Sequence, residues 1–243
     1  MSLISSRDNV AIMQPYFFPY LGYFSLIKHV DRFILFDPVQ YIRHGWIDRN
    51  RILKQGEGWL YIRVPLEPHS HRTPISEIRI NNSDPWKKRL MSQLATYKRI
   101  APNYWRVVKL VSEAIEGDHE SVVSLNKATL EAICAFLGMP KSFEIFTAMH
   151  LEIEEPKAAD EWALNICKAL GNVSEYWNPP GGKQFFDRSK YEAAGIELRF
   201  HTPSLPGYDQ KRGSFEPGLS IIDALMFNSV EQVHQMLDQF DLS

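Results

Sequence analysis

Cysteine is scarce: two residues in 243, Cys134 and Cys167. Two thiols cannot build a disulfide framework, and each falls in an apolar helical pattern where a reduced, buried sulfur is the simplest expectation. The expected compartment is therefore the cytoplasm. A surplus of one charge is also missing, since 27 Lys plus Arg face 29 Asp plus Glu for a net charge of −2. Without a global positive field, general nucleic-acid binding is not expected. No apolar run is long enough to cross a bilayer. The most apolar stretch, Val10 to Ile27, is broken by Gln14, Pro15, Pro19, Gly22 and Ser25, which excludes both a membrane helix and a signal-peptide core there. Internal repeats, low-complexity tracts and Gly/Ser/Pro-rich linkers are lacking as well, so residues 1–243 are expected to form one domain.

What is present is an ordinary globular composition, 44% hydrophobic and 23% charged, in a chain long enough to bury a large core. The pattern predicts a strand at Val10–Met13, a loop, and a helix through Leu21, Phe24, Leu26 and Ile27. It continues with strands at Arg32–Phe36 and Trp59–Pro65. From Asp84, as N-cap with Pro85 at the first helical position, the period becomes helical and predicts a lobe over 84–140 that Gly138-Met139-Pro140 terminates. Phe143–Met149 reads as a returning strand. A helix from Asp160 to Leu170, an extended Glu175–Asn178, a helix from Asp187 to Gly195 and an alternating Ile196–His201 follow. Strands alternating with helices predict an α/β fold: a mostly parallel, doubly wound, Rossmann-like sheet with a helical lobe inserted in the middle of the chain.

In such sheets ligands bind beyond the carboxyl ends of the strands. The loop after the first strand, Gln14-Pro15-Tyr16-Phe17-Phe18-Pro19-Tyr20-Leu21-Gly22-Tyr23, lies in that place. It is aromatic rather than glycine-rich, so it is neither a dinucleotide fingerprint nor a P-loop. Its Phe residues suit packing, whereas Gln14, Tyr16, Tyr20 and Tyr23 carry polar ends that suit ligand contact equally well. After the second strand come Asp37 and Gln40, then Arg43, Trp46, Arg49, Asn50 and Arg51. Arginines interleaved with aromatics suit a phosphorylated ligand held bidentately with a ring stacked on it, although a solvated charged loop has the same composition. His69-Ser70-His71 has no third ligand at a recognisable spacing, so no metal site is expected. Asn178-Pro179-Pro180-Gly181-Gly182-Lys183 offers close backbone approach and one cation, or a simple turn. Tyr208 to Ser220 adds Tyr208, Gln210, Lys211 and Arg212 as ligand candidates, while Ser220 and Asp223 read as a helix cap with an acid in its first turn.

Met13–Ile27, Asp37-Pro38-Val39-Gln40-Tyr41 with Trp46 and Arg49-Asn50-Arg51, the Asn178–Lys183 turn and Tyr208–Asn228 together resemble the WbqC-like family, in its order and from residue 10 to about 237. The resemblance implies a role in bacterial O-antigen and other surface-polysaccharide pathways, acting on a sugar nucleotide or another phosphorylated small molecule. One departure stands out, because the family pattern reads two aspartates where this chain has Asp37-Pro38. The order of strand, Tyr20-Leu21-Gly22-Tyr23, helix and strand also resembles the opening of nucleotidyltransferase-like folds, which carry His-x-Gly-His at the helix start. Tyrosines at those positions donate hydrogen bonds but do not become cations near neutral pH, so that transfer chemistry is not expected.

The expectation from sequence is a transferase acting on a nucleotide-activated sugar, with acyl or aminoacyl transfer as the reaction class. Asp37 is the candidate general base, Arg43, Arg49 and Arg51 the phosphate clamp, and Gly181, Gly182 and Lys183 the opposite wall. A non-catalytic binding or scaffold protein using the same cleft is the competing expectation. No cofactor or oligomeric state is indicated.

Overall fold

The computed structural model describes residues 8–243, so the first seven residues of the expected 1–243 domain lie outside the described residues. In chain order the elements are β1 (Asp8–Met13), α1 (Leu21–His29), β2 (Arg32–Leu35), β3 (Arg49–Leu53), β4 (Trp59–Arg63), α2 (Trp86–Leu94), α3 (Tyr104–Ala114) and α4 (Val122–Phe136). They continue as β5 (Glu144–Ile145), α5 (Glu161–Leu170), β6 (Val173–Asn178), α6 (Arg188–Ala193), β7 (Glu197–Pro203), α7 (Ile221–Phe227), α8 (Val230–Leu237) and β8 (Phe240–Leu242).

Six strands form one sheet in the order β5-β2-β1-β6-β7-β8. All neighbours are parallel except the last pair, where β8 runs against β7 through His201–Leu242 and Pro203–Phe240. Alternate residues of each strand serve opposite faces, and both faces are covered. Ala11, Phe33, Leu35 and Trp177 pack under α1, α7, α8 and the α2–α4 helices, while Val10, Ile12, Ile34, Tyr176, Leu198 and Phe200 pack under α5 and α6. This is the doubly wound α/β arrangement, and it explains why the central strands read as near-continuous apolar runs. Each fully buried Leu, Ile or Phe contributes about 1.5–3 kcal/mol.

Three local expectations need correction. The helix opening at 84–86 starts after Pro85, and the Asp84 carboxylate pairs with Arg89 at 2.9 Å instead of capping. Phe143–Met149 yields only the two-residue β5 before a 3-10 turn at Phe146–Met149. Trp59–Pro65 forms β4, but it pairs antiparallel with β3 as a separate hairpin and does not join the sheet. Ser220 does cap α7, accepting from the Ile222 amide, and Asp187 caps α6 by accepting from that of Ser189.

The chain leaves β1 toward β2 on one side, and β6 occupies the other. The strand order therefore reverses between β1 and β6, which is where doubly wound sheets open a crevice at their carboxyl ends.

Candidate ligand cleft

Three adjoining cavities occupy that edge. The largest, about 650 Å³, lies at the ends of β1, β2 and β6 against Met13, Gln14, Phe36, Trp162 and Asn178. A second, about 220 Å³, shares Met13, Tyr16 and Pro179 with it. A third, about 300 Å³, shares Tyr16, Tyr20 and Trp46 with the second and reaches Asn50 and Arg51. Tyr16 borders all three, so they form one branched cleft of a size usual for small-molecule sites.

The aromatic loop is held from every side by amides and hydroxyls. Asn50 is buried and donates through its amide to the carbonyls of Phe17 (3.0 Å) and Phe18 (2.9 Å). The Asn126 amide donates to Pro15 (2.9 Å) and Ile47 (2.8 Å), and the Ser220 hydroxyl donates to Phe18 at 2.7 Å. Phe18 sits at a φ of +39°, a conformation costing on the order of 1–3 kcal/mol that persists only where surrounding bonds impose it. Phe17 and Phe18 are fully buried, so their rings are packing. Tyr23 is also buried and donates to the Gln14 carbonyl at 2.8 Å, with the Tyr16 ring 5.4 Å away. Burial raises the phenols of Tyr16 and Tyr20 above their ordinary range, so both remain neutral hydrogen-bond donors at physiological pH.

Two glycines here answer to close approach. A Cβ on Gly22 would lie 2.5 Å from the Tyr20 ring and 2.8 Å from Pro203. One on Gly182 would collide with the Asn178 amide and meet Phe186 at 2.7 Å. Gly181 has open space and borders the 650 Å³ chamber of the cleft. Its neighbour Lys183 is exposed, with its ammonium 5.6 Å from the Phe200 ring, and does not line the cleft.

The arginines separate. Arg51 borders the third cavity, its guanidinium close to the rings of Trp46 (5.3 Å) and Trp59 (5.1 Å) and donating to Gly218 at 2.9 Å, while its Nε is buried without a partner. Arg49 is buried and spent internally, donating to the carbonyls of Gly45 (3.2 Å) and His44 (2.5 Å) and stacking on Tyr61 at 4.4 Å. Arg43 is exposed and off the lining. Of the three arginines expected as a clamp, only Arg51 borders the cleft: Arg49, on the same side of β3, is taken up by the carbonyls of its own loop, and Arg43 lies in the exposed turn before the strand.

Gln14, Tyr16, Tyr20, Gly22, Tyr23, Gln40, Trp46, Asn50, Arg51, Gly181 and Gly182 all border the cleft. Asp37 does not. It is buried, with Oδ1 accepting from the Thr147 amide at 3.1 Å and Oδ2 from the Thr147 hydroxyl at 2.6 Å. Tyr208 and Gln210 also lie elsewhere and bind the buried Asp223 carboxylate: its Oδ2 accepts from both, at 2.7 and 2.8 Å, while Oδ1 accepts from Tyr97 at 2.7 Å. Burial raises the Asp223 carboxyl above its usual range, and the three donors oppose that shift.

Sequence reasoning missed His201, which borders the second cavity. Its place in an alternating strand suggested an outward side chain, but the sheet is covered on both faces and His201 is buried. The Ser25 hydroxyl donates to the Leu237 carbonyl at 2.6 Å, so the His201 Nε2, 3.0 Å from Ser25 Oγ, is the donor of that pair. Burial, then the proximity of His29, lower its pKa to about 4, which makes it neutral at pH 7. Among the described residues no group of three or more His, Cys, Asp or Glu is placed to hold a metal. No described helix is long and apolar enough to cross a membrane.

Fold and cleft together define an α/β protein with a crevice at the point where its strand order reverses. The chain belongs to the WbqC-like protein family, whose sequence model matches residues 14–235. It is similar to the uncharacterized protein Rv1507c of Mycobacterium tuberculosis, 31% identical over 223 residues that cover 90% of this chain and 93% of that protein. No solved structure matches it significantly.

Proposed function

We propose that this protein is a cytoplasmic transferase of bacterial surface-polysaccharide biosynthesis that receives a nucleotide-activated sugar in the cleft around Tyr16, with acyl or aminoacyl transfer as the reaction class. The observation that carries the reading is the distribution of charge along the cleft. Its largest chamber is walled by aromatic rings and by the amides of Gln14, Gln40 and Asn178, without a charged side chain. Arg51, at the far end, is the one permanently charged side chain among the lining residues. Rings and amides suit the faces and hydroxyls of a sugar or base, and a guanidinium suits a phosphate oxygen.

A second reading, a non-catalytic binding protein of the same pathway, is favoured by the state of the ionisable groups. The Asp37 carboxylate is buried, bonded to Thr147 and off the cleft lining, and His201 is already committed as a donor to Ser25. Thermal denaturation with uridine, guanosine, thymidine and cytidine sugar nucleotides tests both readings, since any ligand of the native state raises the melting temperature. A rise that Tyr16→Ala abolishes supports the cleft, and a new product in a coupled assay supports the transferase. No rise with any of them contradicts both.

A further inference from the structure

A cavity of about 670 Å³ lies between the β3–β4 hairpin, α2 and the turn after that helix, and shares no lining residue with the cleft around Tyr16. Lys98, Arg99 and Arg212 line it, and no carboxylate does. Leu60 and Ile100 supply apolar surface, and Ser92 and Thr96 supply hydroxyls.

Among the described residues none of the three cations forms an ion pair. Arg212 donates to the carbonyls of Gly58 (3.3 Å) and Lys54, which fixes its guanidinium at the hairpin. The Lys98 ammonium stands 5.3 Å from the centre of the Trp105 ring. Arg99 is exposed and makes no side-chain hydrogen bond. The Thr96 hydroxyl oxygen is buried without a hydrogen-bond partner. Asp223, whose charge Arg212 feels, is engaged by Tyr97, Tyr208 and Gln210, and Glu57 in the hairpin turn is exposed and off the lining.

Like charges left together in a concave site repel one another and focus a positive potential, an arrangement that an incoming anion relieves. Two guanidiniums give the fork geometry that phosphate oxygens accept bidentately, and an orphaned hydroxyl adds a donor. The whole chain carries a net charge of −2, so the positive region is local and matched to a compact ligand, not to a polymer backbone. We propose that this cavity is a second binding site, for a phosphate-bearing small molecule.

Isothermal titration of the full chain with inorganic pyrophosphate tests the proposal. One saturable site is expected, weakened about tenfold or more by Arg99→Glu and by a smaller factor by Thr96→Val. It should be unchanged within about twofold by Lys168→Glu, which makes the same charge change on α5, against the opposite face of the sheet. Arg99 and Lys168 are exposed, so equal melting temperatures will show that both variants fold. Absence of saturable binding, or an Arg99→Glu protein that binds as tightly as wild type, overturns the proposal. Pyrophosphate held in the cleft around Tyr16 instead would survive Arg99→Glu and be lost in Arg51→Ala, which separates the two sites.

Discussion

Thr147 holds both carboxylate oxygens of Asp37, one through its backbone amide at 3.1 Å and the other through its hydroxyl at 2.6 Å. The pair joins the end of β2 to the turn that follows β5, two segments more than a hundred residues apart, with Asp37 buried and Thr147 at the surface. Hydrogen bonds to a buried charged group are worth about 1.5–3 kcal/mol, so the contact reads as an anchor at the rim of the cleft.

Asp37→Asn and Thr147→Val are each expected to cost about 1–3 kcal/mol, with a coupling energy of the same sign in the double variant. Urea unfolding measures this. If Asp37→Asn instead leaves stability unchanged and abolishes turnover, Asp37 is the base and the anchor reading fails.

Gly22→Ala is expected to displace the Tyr20 ring, because the added carbon has no room against it or Pro203. Overpacking of this kind costs about 1–3 kcal/mol. The same substitution should weaken binding in the cleft, since Tyr20 borders two of its three chambers. Unchanged stability together with unchanged affinity would mean that the loop yields freely at this point.

Tyr16 touches every chamber, and its phenol remains protonated. Tyr16→Ala should therefore lose most ligand affinity, while Tyr16→Phe should lose about tenfold or less, the worth of one neutral hydrogen bond. Titration calorimetry with a sugar nucleotide distinguishes them, and equal affinities in all three proteins would remove Tyr16 from the site.

Local pattern carried much of this fold into view. Val10–Met13, the helix behind Tyr20, the Asn178–Gly182 turn and the strand at Leu198–Phe200 all follow from spacing and from breakers such as Gly171 and Gly195, both at positive φ. What stayed hidden depends on partners distant in sequence. Nothing near Arg49 foretells that it serves its own loop, nor does anything near Arg51 announce Trp59 close to it. Ser25 and His201 are 176 residues apart, and alternation alone does not say that a strand is covered on both faces. The antiparallel edge strand β8 is too short to leave a periodic signal.

His201 makes stability depend on pH. Its native pKa of about 4 lies below the ordinary value of 6.5, so the unfolded chain takes up the proton first. Stability is then full above pH 6.5 and falls as the pH drops toward 4, by up to about 3 kcal/mol, after which this group contributes no further loss. Urea midpoints across that range should fall less steeply in His201→Gln than in wild type. Parallel slopes would show that His201 does not titrate between the two states as described.

The central claim, that a nucleotide-activated sugar lies across the carboxyl ends of β1 and β6, is tested most directly by a crystal structure with such a ligand bound. The account predicts the sugar or base against Tyr16 and the amides of Gln14 and Asn178, with a phosphate oxygen at the Arg51 guanidinium. Ligand seated anywhere else on the molecule, with this cleft left vacant, would contradict it.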